Sequence, residues 1–135
     1  MFITISTIIN KPVEVVWKKW TSAEDIIHWY FASDDWQCPL AENDLKPDGK
    51  FNLRMEAKDG SIGFDFEGTY SKIITNELIE YEIIDGRKVK TEFIGKENRT
   101  EIIGTFEPDN DYTHDQQQSG WQAILDNFRK YAEGV

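Results

Sequence analysis

From Lys50 to Glu107 apolar and polar residues take turns, and this two-residue period confines that long stretch to antiparallel strands. Phe51, Leu53, Met55 and Ala57 alternate with Asn52, Arg54 and Glu56, and Phe64, Phe66, Gly68 and Tyr70 share a face opposite Asp65, Glu67 and Thr69. Ile79, Tyr81 and Ile83 follow, then Val89, Thr91 and Phe93, then Thr100, Ile102, Gly104 and Phe106. Asp59-Gly60 and Asp85-Gly86 are hairpin pairs, and Lys96-Glu97-Asn98 supplies a further reversal. The product is a meander with one apolar and one charged face, and the apolar face must be covered.

Amphipathic segments on either side of the meander supply the cover. Phe2 to Ile9 is β-branched enough for a strand, and Pro12 then suits the first turn of a helix. That helix ends near Thr21 and sets Val13, Val16, Trp17 and Trp20 on one face. Ser22 to Asp25 caps a second short helix carrying Ile26, Trp29 and Tyr30. Residues 32–49 are less regular: Trp36 and Cys38 fit a short strand, Pro39 interrupts it, and Lys46-Pro47-Asp48-Gly49 is a turn. Thr113 and Gln116 have capping-box spacing, so the last helix runs from there to about Ala132, before Gly134. Its stripe is Trp121, Ile124, Leu125, Phe128 and Tyr131. The expected fold is α+β: a curved antiparallel sheet closed over by a long C-terminal helix, in one domain spanning residues 1–135.

Charge and composition narrow the function. With 25 acidic against 15 basic residues the net charge is −10, which repels phosphate backbones and anionic lipid. Neither nucleic acid nor membrane is an expected partner. A single cysteine, Cys38, rules out an internal disulfide and a cysteine-rich zinc site, and no His-x-x-x-His spacing exists. No metal is expected, and without a Walker loop or dinucleotide fingerprint no cofactor is expected either. No charged n-region, long apolar run or cleavage site follows Met1, so a cytoplasmic location is the expectation.

No residue stands out as catalytic. Asp34-Asp35 reads as a solvated pair whose side chains diverge on an extended segment, and His114 as a helix-end residue beside Thr113. His28, between Ile27 and Trp29, is the candidate polar contact at a cavity mouth. Gly120 inside the last helix costs about 1 kcal/mol relative to alanine, which a close contact with the sheet or space for a ligand would explain. The candidate ligand-binding wall is Trp29, Trp36, Phe51, Met55, Phe64, Phe66, Tyr70, Tyr81, Phe93, Gly120, Trp121, Ile124 and Phe128. The alternative is that these rings only fill the core. Tyr70 and Tyr81 each bring a hydroxyl that needs a partner when buried.

Several of these features, in this order along the chain, resemble one known group. They are Pro12 with Val16-Trp17, Trp20-Thr21, Trp29, Asp44-Leu45-Lys46-Pro47-Asp48-Gly49-Lys50-Phe51, Gly68-Thr69-Tyr70, and Gly120-Trp121 with Leu125 and Tyr131. The chain is similar to the Hsp90-ATPase-activator-homologue family (the AHSA1-like branch) of the START-like, helix-grip SRPBCC superfamily. Asp48 stands where that pattern has the second glycine of a Gly-Gly-Phe turn. The resemblance implies a bent sheet of six or seven strands gripping the C-terminal helix around a deep cavity. The expected role is binding of a hydrophobic or aromatic small molecule, by a monomer or weak dimer. Two alternatives come with the resemblance: a module that contacts an Hsp90-type chaperone in a stress response, and a cavity enzyme of cyclase or hydratase type.

Overall fold

The computed structural model describes residues 2–134. Among these, ten elements follow in order: β1 (Ile3–Ile9), α1 (Val13–Thr21), α2 (Ala23–Ile26), β2 (Trp36–Asn43), β3 (Lys50–Ala57), β4 (Gly63–Ile74), β5 (Leu78–Ile83), β6 (Lys88–Lys96), β7 (Arg99–Phe106) and α3 (His114–Glu133). The seven strands form one antiparallel sheet in the order β1-β7-β6-β5-β4-β3-β2. Six are a meander, and β1 adds itself beside the last of them. The sheet curls, and its concave face holds the core, with Ile9, Val16, Trp29, Ile102, Phe106, Leu125 and Phe128 nearly or wholly buried.

The alternation decides the register. Phe51 pairs with Gly68, Leu53 with Phe66 and Met55 with Phe64, so one apolar row crosses two strands. An added Cβ on Gly68 would lie 2.6 Å from the Phe51 ring, so glycine is what lets that ring settle there. The row runs out of cover at the hairpin end, and Phe64 is 49% exposed there. This corrects the expectation that Phe64 faces an enclosed interior.

Two segments depart from their sequence reading. The second helix stops at Ile26, so Trp29 lies in the turn after it and Tyr30 just beyond that turn. Trp29 is pinned there from two sides: its Nε1–H donates to the Lys19 carbonyl at 3.0 Å, and its own carbonyl accepts from Asn127 Nδ2 at 2.8 Å. The strand at Trp36 is longer than expected, because Pro39 sits at a bulge between Gln37 and Leu40. On an edge strand the missing N–H of proline costs no ladder bond.

Helix α3 begins with the expected capping box, Thr113 and Gln116 each bonding the other's backbone, and ends on left-handed Gly134 at φ 76°. It also seals the free edge of β1. Gln118 Nε2 donates to the Thr4 carbonyl at 3.1 Å and Gln122 Nε2 to the Ser6 carbonyl at 3.0 Å. The Ser6 N–H donates back to Gln122 Oε1 at 3.4 Å, and the Asn10 N–H to Glu133 Oε2 at 2.8 Å. Side chains thus replace the strand that an open edge would otherwise recruit.

Candidate functional site

The hollow in the concave face lies between the α1–α2 corner and the sheet. Trp20, Thr21, Ile26, Trp29 and Tyr30 form one wall, and Asn43, Phe51, Leu53, Phe66, Tyr70, Ile79 and Tyr81 the other. Its volume is about 50 Å³. A dry apolar cavity that holds benzene measures roughly 150 Å³. Pockets for drug-sized ligands run to about 300–1,000 Å³. The deep cavity implied by the resemblance is therefore, in this conformation, a small gap among packed rings.

The rings themselves explain the missing space. Phe51 meets Tyr81 edge-on with centroids 4.9 Å apart, and Trp20 tilts against Trp29 at 4.8 Å. Phe128 braces both tryptophans from behind, at 4.9 Å and 4.7 Å. Trp121 stacks on Phe106 at 4.0 Å and touches Phe66 edge-on at 6.2 Å. The α3 rings thus support the cavity walls rather than line them.

Of the candidate wall residues, the structure brings Trp29, Phe51, Phe66, Tyr70 and Tyr81 onto the cavity. Met55, Phe93 and Phe128 are buried in the core beyond its lining, and Trp36, Trp121 and Ile124 are partly buried against that core. Gly120 has nothing within 4 Å of where a Cβ would be, so it neither makes the expected close contact with the sheet nor borders the cavity. His28 is exposed and stacks on Tyr131, centroids 5.8 Å apart and planes 15° from parallel. It belongs to the outer surface, because its neighbours Ile26 and Trp29 take the inward positions. Among the described residues no group of three or more potential metal ligands converges, and no helix is long and apolar enough to cross a membrane.

The sequence reading missed Trp20, Thr21, Ile26, Tyr30, Asn43, Leu53 and Ile79 as lining residues. Trp20 and Tyr30 carried a signal, since both lay on apolar stripes. Asn43 carried none: the bulge at Pro39 shifts the inward phase of β2 by one residue, and only registration with Phe51 shows where Asn43 faces.

The polar lining consists of side-chain amide and hydroxyl groups. Tyr70 donates to Asn43 Oδ1 at 2.5 Å, and Asn43 Nδ2 donates to the Thr21 carbonyl at 2.6 Å. The Tyr30 and Tyr81 phenols also belong to the lining. Burial pushes all three phenols above their ordinary range, so each stays protonated at any physiological pH. Burial also raises the Cys38 thiol beside Tyr30 to about 11, which keeps it an unreactive thiol at neutral pH. No carboxylate, imidazole or amine lines the cavity. Its chemistry is hydrogen bonding from neutral groups within an apolar shell.

Larger hollows lie on the surface. One of about 680 Å³ is bounded by Glu80, Glu82, Lys88 and Lys90 on the convex face, and one of about 900 Å³ by Lys96 to Arg99 at a hairpin tip. Both are open and rimmed by charged side chains, the first with Phe2, Tyr81 and Val89 in its lining as well.

Residues 10–133 match the profile of the family described as activator of Hsp90 ATPase homolog 1-like protein. The solution structure of an AHSA1-like protein from Aeromonas hydrophila is 39% identical, with a TM-score of 0.94 over 99% of this chain and 93% of that one. A protein from Cytophaga hutchinsonii is 45% identical, with a TM-score of 0.84 over 98% and 92%. A protein of unknown function from Staphylococcus aureus shares the fold, with a TM-score of 0.80 over 99% and 94% at 19% identity. No protein with a curated description matches the chain.

Proposed function

The chain belongs to the activator of Hsp90 ATPase homolog 1-like family, and from that premise we propose that it binds an apolar small molecule between the α1–α2 corner and the sheet. The observation that carries this reading is the cavity at that junction, walled by tryptophan, phenylalanine and tyrosine and furnished with a few neutral polar groups. Burial of ligand surface would drive uptake at roughly 25 cal/mol per Å².

A gap of about 50 Å³ has to widen first. The sheet side is held by ladders of backbone bonds, whereas the corner is held to the rest by a few side-chain bonds, from Asn43 to the Thr21 carbonyl, from Asn127 to the Trp29 carbonyl and from Tyr131 to Asp25. The α1–α2 wall is therefore the one that shifts.

Native mass spectrometry of protein purified from its own cells tests the reading. We expect a retained organic adduct that departs on denaturation; uniformly adduct-free protein, unable to take up any apolar molecule added back, would count against it. The second reading, contact with an Hsp90-type ATPase, is favoured by the family description and is tested by pull-down at high concentration. A cyclase or hydratase would have to work with phenols and a carboxamide, without a general base in the lining.

A further inference from the structure

The α1–α2 corner, residues 21–29, is tied to the strands at one point. Among the described residues, the hydrogen bond that crosses from it to the sheet runs from Asn43 Nδ2 to the Thr21 carbonyl, at 2.6 Å. Thr21 ends α1, and its carbonyl is one of those that a helix end leaves without an internal partner. The corner's other ties lead to α3 instead: Asn127 Nδ2 donates to the Trp29 carbonyl and the Tyr131 hydroxyl to Asp25.

Asn43 is built to hold that bond. A carbonyl only accepts, so the Nδ2 side of the carboxamide faces Thr21, and Oδ1 is left to accept from the Tyr70 hydroxyl at 2.5 Å. Tyr70 is itself fixed in β4. Its N–H donates to the Gly49 carbonyl at 2.9 Å, its carbonyl accepts from the Asp48 N–H at 2.8 Å, and the residue is 8% exposed. The holding side is therefore rigid. The backbone it holds lies at a joint, where Ser22, extended at φ −78° and ψ 127°, separates the two helices. Thr21, Asn43 and Tyr70 all line the cavity.

Resting on the cavity reading above, we propose that Asn43 is the latch of the cavity. Its bond to the Thr21 carbonyl holds the corner shut, and that bond breaks as the joint lifts from β2 to admit a ligand. The bonds from Asn127 and Tyr131 stay made and keep the far side of the corner on α3 as the pivot. When the binding-competent state is only fractionally populated, affinity falls by that fraction. Removing the latch therefore tightens binding although it removes a polar group from the cavity wall. A residue that merely contacted the ligand would do the reverse.

The test compares three variants with wild type by NMR titration of cyclohexanone and by amide hydrogen exchange without ligand. Asn43→Asp keeps an acceptor for Tyr70 but sets a carboxylate oxygen against the Thr21 carbonyl, so neither donates. Its dissociation constant is expected to be about fivefold lower than that of wild type, the equivalent of one net hydrogen bond. Exchange is expected to quicken over residues 21–28 and to stay unchanged in β3, β4 and β5. Tyr70→Phe leaves the carboxamide in place but free to turn, and should move both readouts the same way by less. It also serves where Asn43→Asp does not fold. Asn127→Ala breaks a bond at the pivot and is expected to keep wild-type affinity. Unchanged or weaker binding in both latch variants, or equal tightening in Asn127→Ala, would overturn the latch and leave the cavity reading intact. If none of the proteins takes up cyclohexanone, the cavity reading fails and exchange alone decides. Quickening confined to residues 21–28 would then support the latch, and unchanged exchange would overturn it.

Discussion

Gly49 and Gly120 show how differently a single missing Cβ can act. A Cβ on Gly49 would sit 2.0 Å from the Asp44 carbonyl oxygen, a backbone atom that cannot move aside without breaking the turn into β3. Asp48 just before it takes φ 67°, a left-handed conformation that aspartate tolerates better than most residues. Gly49→Ala should therefore destabilise the fold by about 3 kcal/mol, at the upper end for overpacking. Gly120 faces open space on a helix, so Gly120→Ala should stabilise by about 0.5–1 kcal/mol. It should leave uptake of apolar molecules unchanged. Urea unfolding of the two variants checks the opposite signs; equal destabilisation would mean that Gly120 has a packing partner after all.

At the scale of elements, α3 does two jobs. Its apolar stripe braces the aromatic cluster, and Gln118 and Gln122 close the edge of β1. Replacing both glutamines by alanine should cost about 1 kcal/mol, because the freed groups are partly reached by water. It should also expose a strand edge able to pair with another chain. Urea unfolding with analytical ultracentrifugation checks both: lower stability with a new dimer is expected, and a strictly unchanged protein would contradict the sealing role. The apolar half of this element was legible from spacing, as were the capping box and Gly134, because helix period and cap chemistry are local. The glutamine seal was not, since it depends on which strand lies at the edge, a property of topology. Likewise the hairpins at Asp59-Gly60 and Asp85-Gly86 were readable, but the bulge that turns Asn43 inward was not.

At the scale of the molecule, buried phenols tie stability to pH. Unfolded tyrosines ionise near pH 10. In the folded chain burial raises Tyr30, Tyr70 and Tyr81, and burial together with Asp25, which accepts the Tyr131 proton, raises Tyr131 to about 12. A folded value above the unfolded one means that the stabilisation is intact below pH 10 and is lost as pH climbs through the folded values. The urea midpoint should fall steadily between pH 10 and 12, and Tyr131→Phe should start lower but fall less steeply; parallel slopes would contradict the assignment.

The curved sheet, its apolar face and the gripping helix all followed from periodicity, because two-residue and 3.6-residue repeats fix which side chains look inward. The size of the space between them did not. Whether Trp20, Trp29 and Phe128 interlock or stand apart depends on rotamers and on the turn that pins Trp29, which no spacing reveals.

The most direct measurement follows backbone and indole N–H signals by ¹H–¹⁵N NMR while cyclohexanone is titrated into the wild-type protein. Uptake at the corner predicts saturable shifts concentrated at the Trp20 and Trp29 indoles and around Asn43, Leu53, Phe66 and Tyr81. Saturable shifts confined to the convex face around Glu80 to Lys90, or none at any concentration, would contradict it.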